Sequence, residues 1–153
     1  MAGLELKIPP PLVAILCAAG MWALAQITEP YVIQPALKWT IVSVFIFIGA
    51  AFDIAGLLEF RRSKTTINPL HPEKSSTLVS GGVYQITRNP MYVGMACFLM
   101  AWTAYLENSA ALLGVAAFML YITRFQIKPE EKILAQLFGD VFADYQKRVR
   151  RWL

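Results

Sequence analysis

The chain has 153 residues, which is the size of one domain. Hydrophobic residues make up 57% and charged residues only 16%, with a mean hydropathy of +0.50. A soluble domain carries about 25% charged and about 45–50% apolar residues. This balance excludes intrinsic disorder, a coiled coil and a disulfide scaffold, and it predicts an all-α membrane protein. No G-x-G-x-x-G occurs, which argues against a soluble dinucleotide-binding sheet.

The first apolar run is roughly Pro11 to Ile27, opened by Pro9, Pro10 and Pro11. Proline is tolerated at a helix start because the first helical amide has no partner to lose. A polar link, Thr28 to Lys38, leads to the second run, Trp39 to Phe60, interrupted by Asp53 and Glu59. The polar stretch Arg61 to Asn89 follows. The third run is Pro90 to Leu106, the link Glu107-Asn108-Ser109 turns the chain back, and the fourth runs from Ala110 to Phe125. A span needs about 17–25 residues, so the first run sits at the lower limit. The expectation is one integral membrane domain over 1–153, with four transmembrane helices at about 11–27, 39–60, 90–106 and 110–125.

The net charge of +4 is distributed unevenly. In a four-span arrangement Lys7, Arg61, Arg62, Lys64, Lys74, Arg88, Arg124, Lys128, Lys132, Lys147, Arg148, Arg150 and Arg151 share one face, and Lys38 alone lies on the other. A 13-to-1 split predicts that both termini, loop 61–89 and tail 126–153 are cytoplasmic. The same reading explains the basic pI near 9.2 without nucleic acid. No cleavable signal peptide is evident. Cys17 and Cys97 lie inside apolar runs and read as packing residues.

The tail reads as two short amphipathic helices. Pro129, Glu130 and Glu131 open the first, Ile133, Leu134, Leu137 and Phe138 form its apolar face, and Gly139 stops it. The second carries Val141, Phe142, Tyr145, Val149 and Trp152 at helical spacing opposite Asp144, Lys147, Arg148 and Arg151. That pattern fits a helix lying in the membrane interface.

Three places carry polar groups with more than one reading. Around Asn89-Pro90, an N-cap with proline at the next position explains the dipeptide. It does not explain why Gly81-Gly82, Tyr84, Arg88 and Tyr92 crowd the same entry, and a helix N-terminus also suits an anionic ligand group. Glu130-Glu131 reads as first-turn carboxylates complementing a helix dipole, or as a pair holding a cationic ligand near Arg124. Asp53, one or two turns from the end of its run, either serves a function, has a buried partner, or reaches the interface. His71 is the single histidine, with no cysteine or histidine at ligand spacing, so no metal site is expected.

The two segments 78–92 and 130–151, in this order and spacing, resemble the isoprenylcysteine carboxyl methyltransferase family and the related phospholipid methyltransferases. The family pattern runs Leu-Val, Gly-x-Tyr and Arg-His-Pro-x-Tyr before a membrane helix. It continues with Glu-Glu-x-x-Leu, Phe-Gly and a tyrosine-bearing basic end. Here these are Leu78-Val79, Gly82-Val83-Tyr84, Arg88-Asn89-Pro90-Met91-Tyr92, Glu130-Glu131-x-x-Leu134, Phe138-Gly139 and Tyr145 to Arg151. Thr65-Thr66-Ile67-Asn68-Pro69 is similar to the bacterial branch, and the resemblance covers residues 60–153.

The resemblance implies S-adenosylmethionine as cofactor, bound at the cytoplasmic helix ends by Ser76, Thr77, Leu78, Val79, Tyr84, Asn89, Pro90 and Tyr92. It implies a catalytic side formed by Glu130 and Glu131, with Arg124 or Gln126 as a clamp. Two positions depart from the pattern: Asn89 replaces a histidine, and Gln126 replaces an arginine four residues before the first glutamate. The implied reaction is methyl transfer to a lipophilic acceptor, a lipid or prenylated molecule, with carboxyl O-methylation of an isoprenylcysteine-like group first. Phospholipid amine N-methylation, or a non-catalytic binding or assembly role on the same fold, are the alternatives. The spans carry no small-xxx-small pattern that would set an oligomeric state.

Overall fold

The structure, a computed structural model, describes residues 5–63 and 77–153. The described residues are helical, with one isolated bridge between Thr87 and Arg150. The helices are α1 (Pro10–Ala25), α2 (Pro35–Arg62), α3 (Pro90–Leu106), α4 (Leu112–Ile122) and α5 (Lys128–Arg148). Short 3₁₀ turns lie at Gly82–Gln85 and Ser109–Ala111, and a π turn at Thr123–Ile127. Each of α1, α2 and α3 begins on a proline, whose fixed φ suits a first helical position.

Two helices are long and apolar enough to cross a membrane, Pro35–Arg62 and the continuous run Ser109–Arg148. Pro10–Ala25 and Pro90–Leu106 are shorter apolar helices. α3 is the central element, in contact with α1, α2 and α4. Its 17 residues bury eight side chains or glycines, where the 28-residue α2 buries three. The main core gathers Met21, Tyr92, Leu99, Val115, Phe118, Ile122 and Ile127. Phe118 and Ile122 are fully enclosed, and between apolar helices in lipid they stabilise by van der Waals packing.

α2 and α3 approach closely because neither has a side chain at the crossing. A Cβ on Gly49 would meet Gly94 O and the Phe98 ring at 2.9 Å. The Asp53 carboxylate lies against Gly94, and its Oδ1 is buried without a hydrogen-bond partner among the described residues. Asp53 therefore faces the α2–α3 contact.

The far end of the bundle, where α1 ends and α3 turns into α4, is stapled by polar groups. Asn108 Nδ2 donates to Thr28 Oγ1 at 2.8 Å, and Tyr31 N–H to Glu107 O at 2.8 Å. Lys38 Nζ pairs with Glu107 at 3.0 Å and lies 5.1 Å from the Tyr105 ring centre.

The tail departs from its expected form in two ways. The fourth run does not end at Phe125, because α4 passes through the π turn into α5 without a free helix start. Glu130 and Glu131 thus have no exposed helix N-terminus to complement, and the dipole reading fails. Gly139 does break the tail as expected: its φ of 50° and ψ of −126° are non-helical and separate two helical segments. Beyond it, Phe142, Tyr145 and Val149 pack on Val79 and Tyr84, so that apolar face is covered by protein and not left for lipid. Val141, counted in that face, is 65% exposed instead.

Candidate functional site

Three chain segments meet at the end of α3 where it begins. The first is residues 77–89, whose 3₁₀ turn requires Gly82 in the left-handed region at φ of 55°. A Cβ at Gly82 would also collide with the Glu59 carboxylate of α2 at 2.6 Å. The second is α5. The third is residues 149–153, which lie along the first: Arg88 N–H donates to Arg150 O at 2.9 Å and Asn89 Nδ2 to Arg151 O at 2.8 Å. Tyr145 O–H donates to Tyr84 O at 2.7 Å, tying α5 to the 3₁₀ turn.

These segments line a cleft open to the surroundings. Its lining includes Thr77, Leu78, Val79, Tyr84, Arg88, Asn89, Glu130 and Glu131, with Phe60, Phe142 and Tyr145 as aromatic walls. Phe60 and Tyr84 meet edge to face at 5.6 Å. A second cleft shares Phe60, Tyr84, Arg88, Asn89 and Glu130, and adds Pro90, Met91 and Tyr92. Glu130 stands at the junction of the two.

Neighbouring carboxylates have opposite environments here. Glu131 accepts from Arg88 Nη2 at 2.6 Å and from Arg151 Nη2 and Nε at 2.7 and 3.0 Å. Burial pushes its pKa up, but those charged hydrogen bonds outweigh burial and hold it below the usual value. Glu130 has only the Tyr92 hydroxyl, 3.4 Å from its Oε2. Burial dominates there and raises its pKa to about 7, with the Glu131 charge adding to the rise. Tyr84 is pushed well above the phenol range by burial and by nearby Glu130, so it remains a neutral hydroxyl.

Of the residues singled out in the sequence, Thr77, Leu78, Val79, Tyr84, Asn89, Pro90, Tyr92, Glu130 and Glu131 line the two clefts. Ser76, like His71 and the 65–69 segment, lies outside the described residues. Asn89 occupies the N-cap position of α3, but its side chain makes no cap and serves Arg151 O instead. Arg124 and Gln126 do not reach the clefts. Arg124 pairs with Glu5 at 2.7 Å and Gln126 Nε2 donates to Ile8 O at 2.6 Å, because the π turn directs both toward the N-terminal segment. They are therefore not a clamp on the reacting groups.

The site also uses residues outside that set. Arg88 is among the groups crowding the α3 entry and stands inside the quoted Arg-Asn-Pro-x-Tyr motif, and Arg151 lies in the basic tail, but sequence alone assigns neither a role. Phe60 and Phe142 had no signal beyond their apolar character, since only the approach of α2 and α5 makes them walls.

Residues 37–141 match the phospholipid methyltransferase family. The chain belongs to that family. Within it, an uncharacterized protein of Haemophilus influenzae is 49% identical over 63 residues, 41% of this chain and all of that protein. A probable protein-S-isoprenylcysteine O-methyltransferase of Oryza sativa subsp. indica is 28% identical over 137 residues, 85% of this chain and 70% of the rice protein. The methanethiol S-methyltransferase of Pseudomonas deceptionensis is 30% identical over 115 residues, 74% of this chain and 40% of that enzyme. No solved structure matches the chain. Family membership and the apolar helices together make this chain a membrane methyltransferase.

Proposed function

We propose that this phospholipid methyltransferase family member transfers the methyl group of S-adenosylmethionine to a lipophilic acceptor that must lose a proton, an amine or a thiol, with Glu130 as the base. One observation carries the choice of acceptor. Glu131 engages both Arg88 and Arg151, whereas Glu130, next to it at the junction of the clefts, faces a tyrosine hydroxyl and no cation among the described residues. An anionic acceptor would be repelled by Glu130 wherever that carboxyl is ionised. A protonated nucleophile meets a base of pKa about 7, close to the operating pH where base catalysis is most efficient.

The cofactor fits the chemistry of the lining. Thr77 to Val79, Tyr84 and Asn89 supply polar and apolar contacts together, the aromatic walls suit a planar base, and Arg88 Nε is buried and unpaired among the described residues. When bound, the sulfonium supplies an already activated methyl group. The chain aligns the acceptor with it, since alignment is the larger part of such a displacement. Glu130 would take the acceptor's N–H or S–H proton on a carboxylate oxygen. Tyr92 O–H orients that carboxylate. The Glu131–Arg88–Arg151 cluster fixes the wall behind it.

In the same reading the chain 1–153 is one domain whose four apolar runs cross the bilayer, with the site end and both termini cytoplasmic. The polar cleft then faces the cytoplasm, and the second cleft, rimmed by Pro90, Met91 and Phe60, faces the acceptor. The 13-to-1 distribution of lysine and arginine supports this orientation.

Carboxyl O-methylation is the second reading, favoured by the rice relative's activity and by the high pKa of Glu130. A protonated Glu130 can donate to an acceptor carboxylate. The two readings require opposite states of one residue, so pH separates them: the rate rises through about 7 if Glu130 is a base and falls through it if Glu130 is a donor. Incubation with methyl-labelled S-adenosylmethionine and a membrane extract, followed by mild alkali, gives the chemical answer. Label that stays on the lipid supports the amine or thiol acceptor, and label released as methanol identifies an ester.

A further inference from the structure

The π turn at Thr123–Ile127 lies one helical turn before Glu130, and the N-terminal segment grips it at three successive residues. Glu5 pairs with Arg124 at 2.7 Å, Leu6 N–H donates to Phe125 O at 3.0 Å, and Gln126 Nε2 donates to Ile8 O at 2.6 Å. The sequence explains why a grip is useful here. In an α-helix Phe125 O would accept from residue 129, but Pro129 has no N–H. The helix widens instead, with Lys128 N–H donating to Thr123 O five residues back. Leu6 reaches Phe125 O from a left-handed backbone, φ of 56°, which a leucine adopts only when its surroundings hold it there.

A π turn adds one residue without adding a turn. Everything after it is rotated by about 100° relative to an uninterrupted α-helix. That rotation sets which side of α5 carries Glu130 toward Tyr92. Gln126 and Ile127 are fully buried on the core side, so the turn is tied both to the bundle and to the N-terminal segment.

We propose that Glu5–Ile8 is a positioning clasp on the π turn, fixing the rotation of α5 that aims Glu130 into the cleft. The inference rests on the reading of Glu130 as the reacting acid–base group. Arg124 and Gln126 are, on this account, positioning residues that act through the helix and touch neither donor nor acceptor.

The test uses the purified full chain in detergent, with Arg124→Met, Gln126→Leu and the charge-reversed pair Glu5→Arg with Arg124→Glu. Arg124→Met and Gln126→Leu are expected to lower kcat roughly tenfold through misalignment, with KM within about twofold of wild type. Both move the pH–rate midpoint assigned to Glu130 and speed amide exchange over residues 123–134. The reversed pair recovers most of the rate and most of the protection. Glu5→Gln, a milder change at a half-exposed position, gives the same signature in smaller measure if Gln126→Leu does not fold. Unchanged exchange and an unchanged pH midpoint in the single variants overturn the clasp, as does a reversed pair no better than either single change. A wild-type chain that binds no S-adenosylhomocysteine and transfers no methyl overturns the proposed function, and amide exchange still decides the clasp.

Discussion

The two ends of the bundle use the same ingredients to opposite effect. At the far end one carboxylate, Glu107, meets one ammonium, Lys38, with the Tyr105 and Trp39 rings beside it and Trp102 stacked on Tyr105 at 5.1 Å. Glu107 also accepts from Ile33 N–H at 3.4 Å. That cluster is closed: charge is matched and the aromatic rings pack on one another. At the site end two guanidinium groups serve one carboxylate, Glu131, and a second carboxylate is left with a tyrosine. The aromatic walls there leave space between them. The difference teaches that unequal pairing can leave one half-buried titratable group over, facing a cleft, and such a group is the candidate for chemistry.

The sharpest break in this comparison is Glu130→Gln. Methyl transfer should fall roughly 100-fold or more, the usual loss for a missing acid–base group, with S-adenosylhomocysteine affinity largely kept. The same change should stabilise the ligand-free protein at alkaline pH. The carboxyl has an ordinary value of 4.5 and a folded value of about 7, so the folded state holds more protons between them. Stability therefore falls as pH rises from 4.5 to about 7 and stays low above it. Wild type and Glu130→Gln melting temperatures should diverge over that interval, and parallel curves would remove the buried-carboxylate account.

Arg88→Met comes next. Arg88 and Glu131 are only 10% and 13% exposed, and losing one partner leaves the carboxylate half matched in the cleft wall. A loss of about 3 kcal/mol is expected, read as a lower denaturation midpoint, with weaker binding of S-adenosylhomocysteine. A third expectation concerns pH. The kcat/KM profile should rise with pH up to about 7, the value for the free enzyme. The kcat profile should have its acid limb at lower pH, since a cationic ligand beside Glu130 favours the carboxylate. Identical limbs would mean that Glu130 does not face the bound donor.

The smallest effect belongs to the far end. Lys38→Met should leave kcat and donor affinity unchanged and lower the melting temperature slightly, because the pair is partly solvated. A large loss of rate in that variant would mean the two ends are coupled, contrary to the comparison.

Much of the architecture was legible in the sequence. Apolar runs marked α1, α2 and α3, the first and third of them opening on proline, and the boundaries moved by only a few residues, α2 beginning at Pro35 in place of Trp39. The motif around Arg88 to Tyr92 and the Glu130-Glu131 pair marked both halves of the site before any contact was known. The tail misled. Glu130-Glu131 after a proline looks like a helix start, and local pattern contains nothing to say that α4 continues through a π turn into the same helix. The resemblance implied Arg124 and Gln126 as a clamp, but both lie in the π turn, which a residue pattern does not register, and they face the N-terminal segment.

The sequence by itself determined composition, helix positions, the uneven spread of positive charge and the residue types available for chemistry, because these follow from local propensity and solvent transfer. Only the tertiary structure decided which carboxylate is paired. Glu130 and Glu131 are adjacent and chemically alike, and their difference arises because Arg88 and Arg151, distant in the chain, converge on Glu131 alone. A pairing between residues so far apart in sequence is set by packing, and packing is a property of the whole fold.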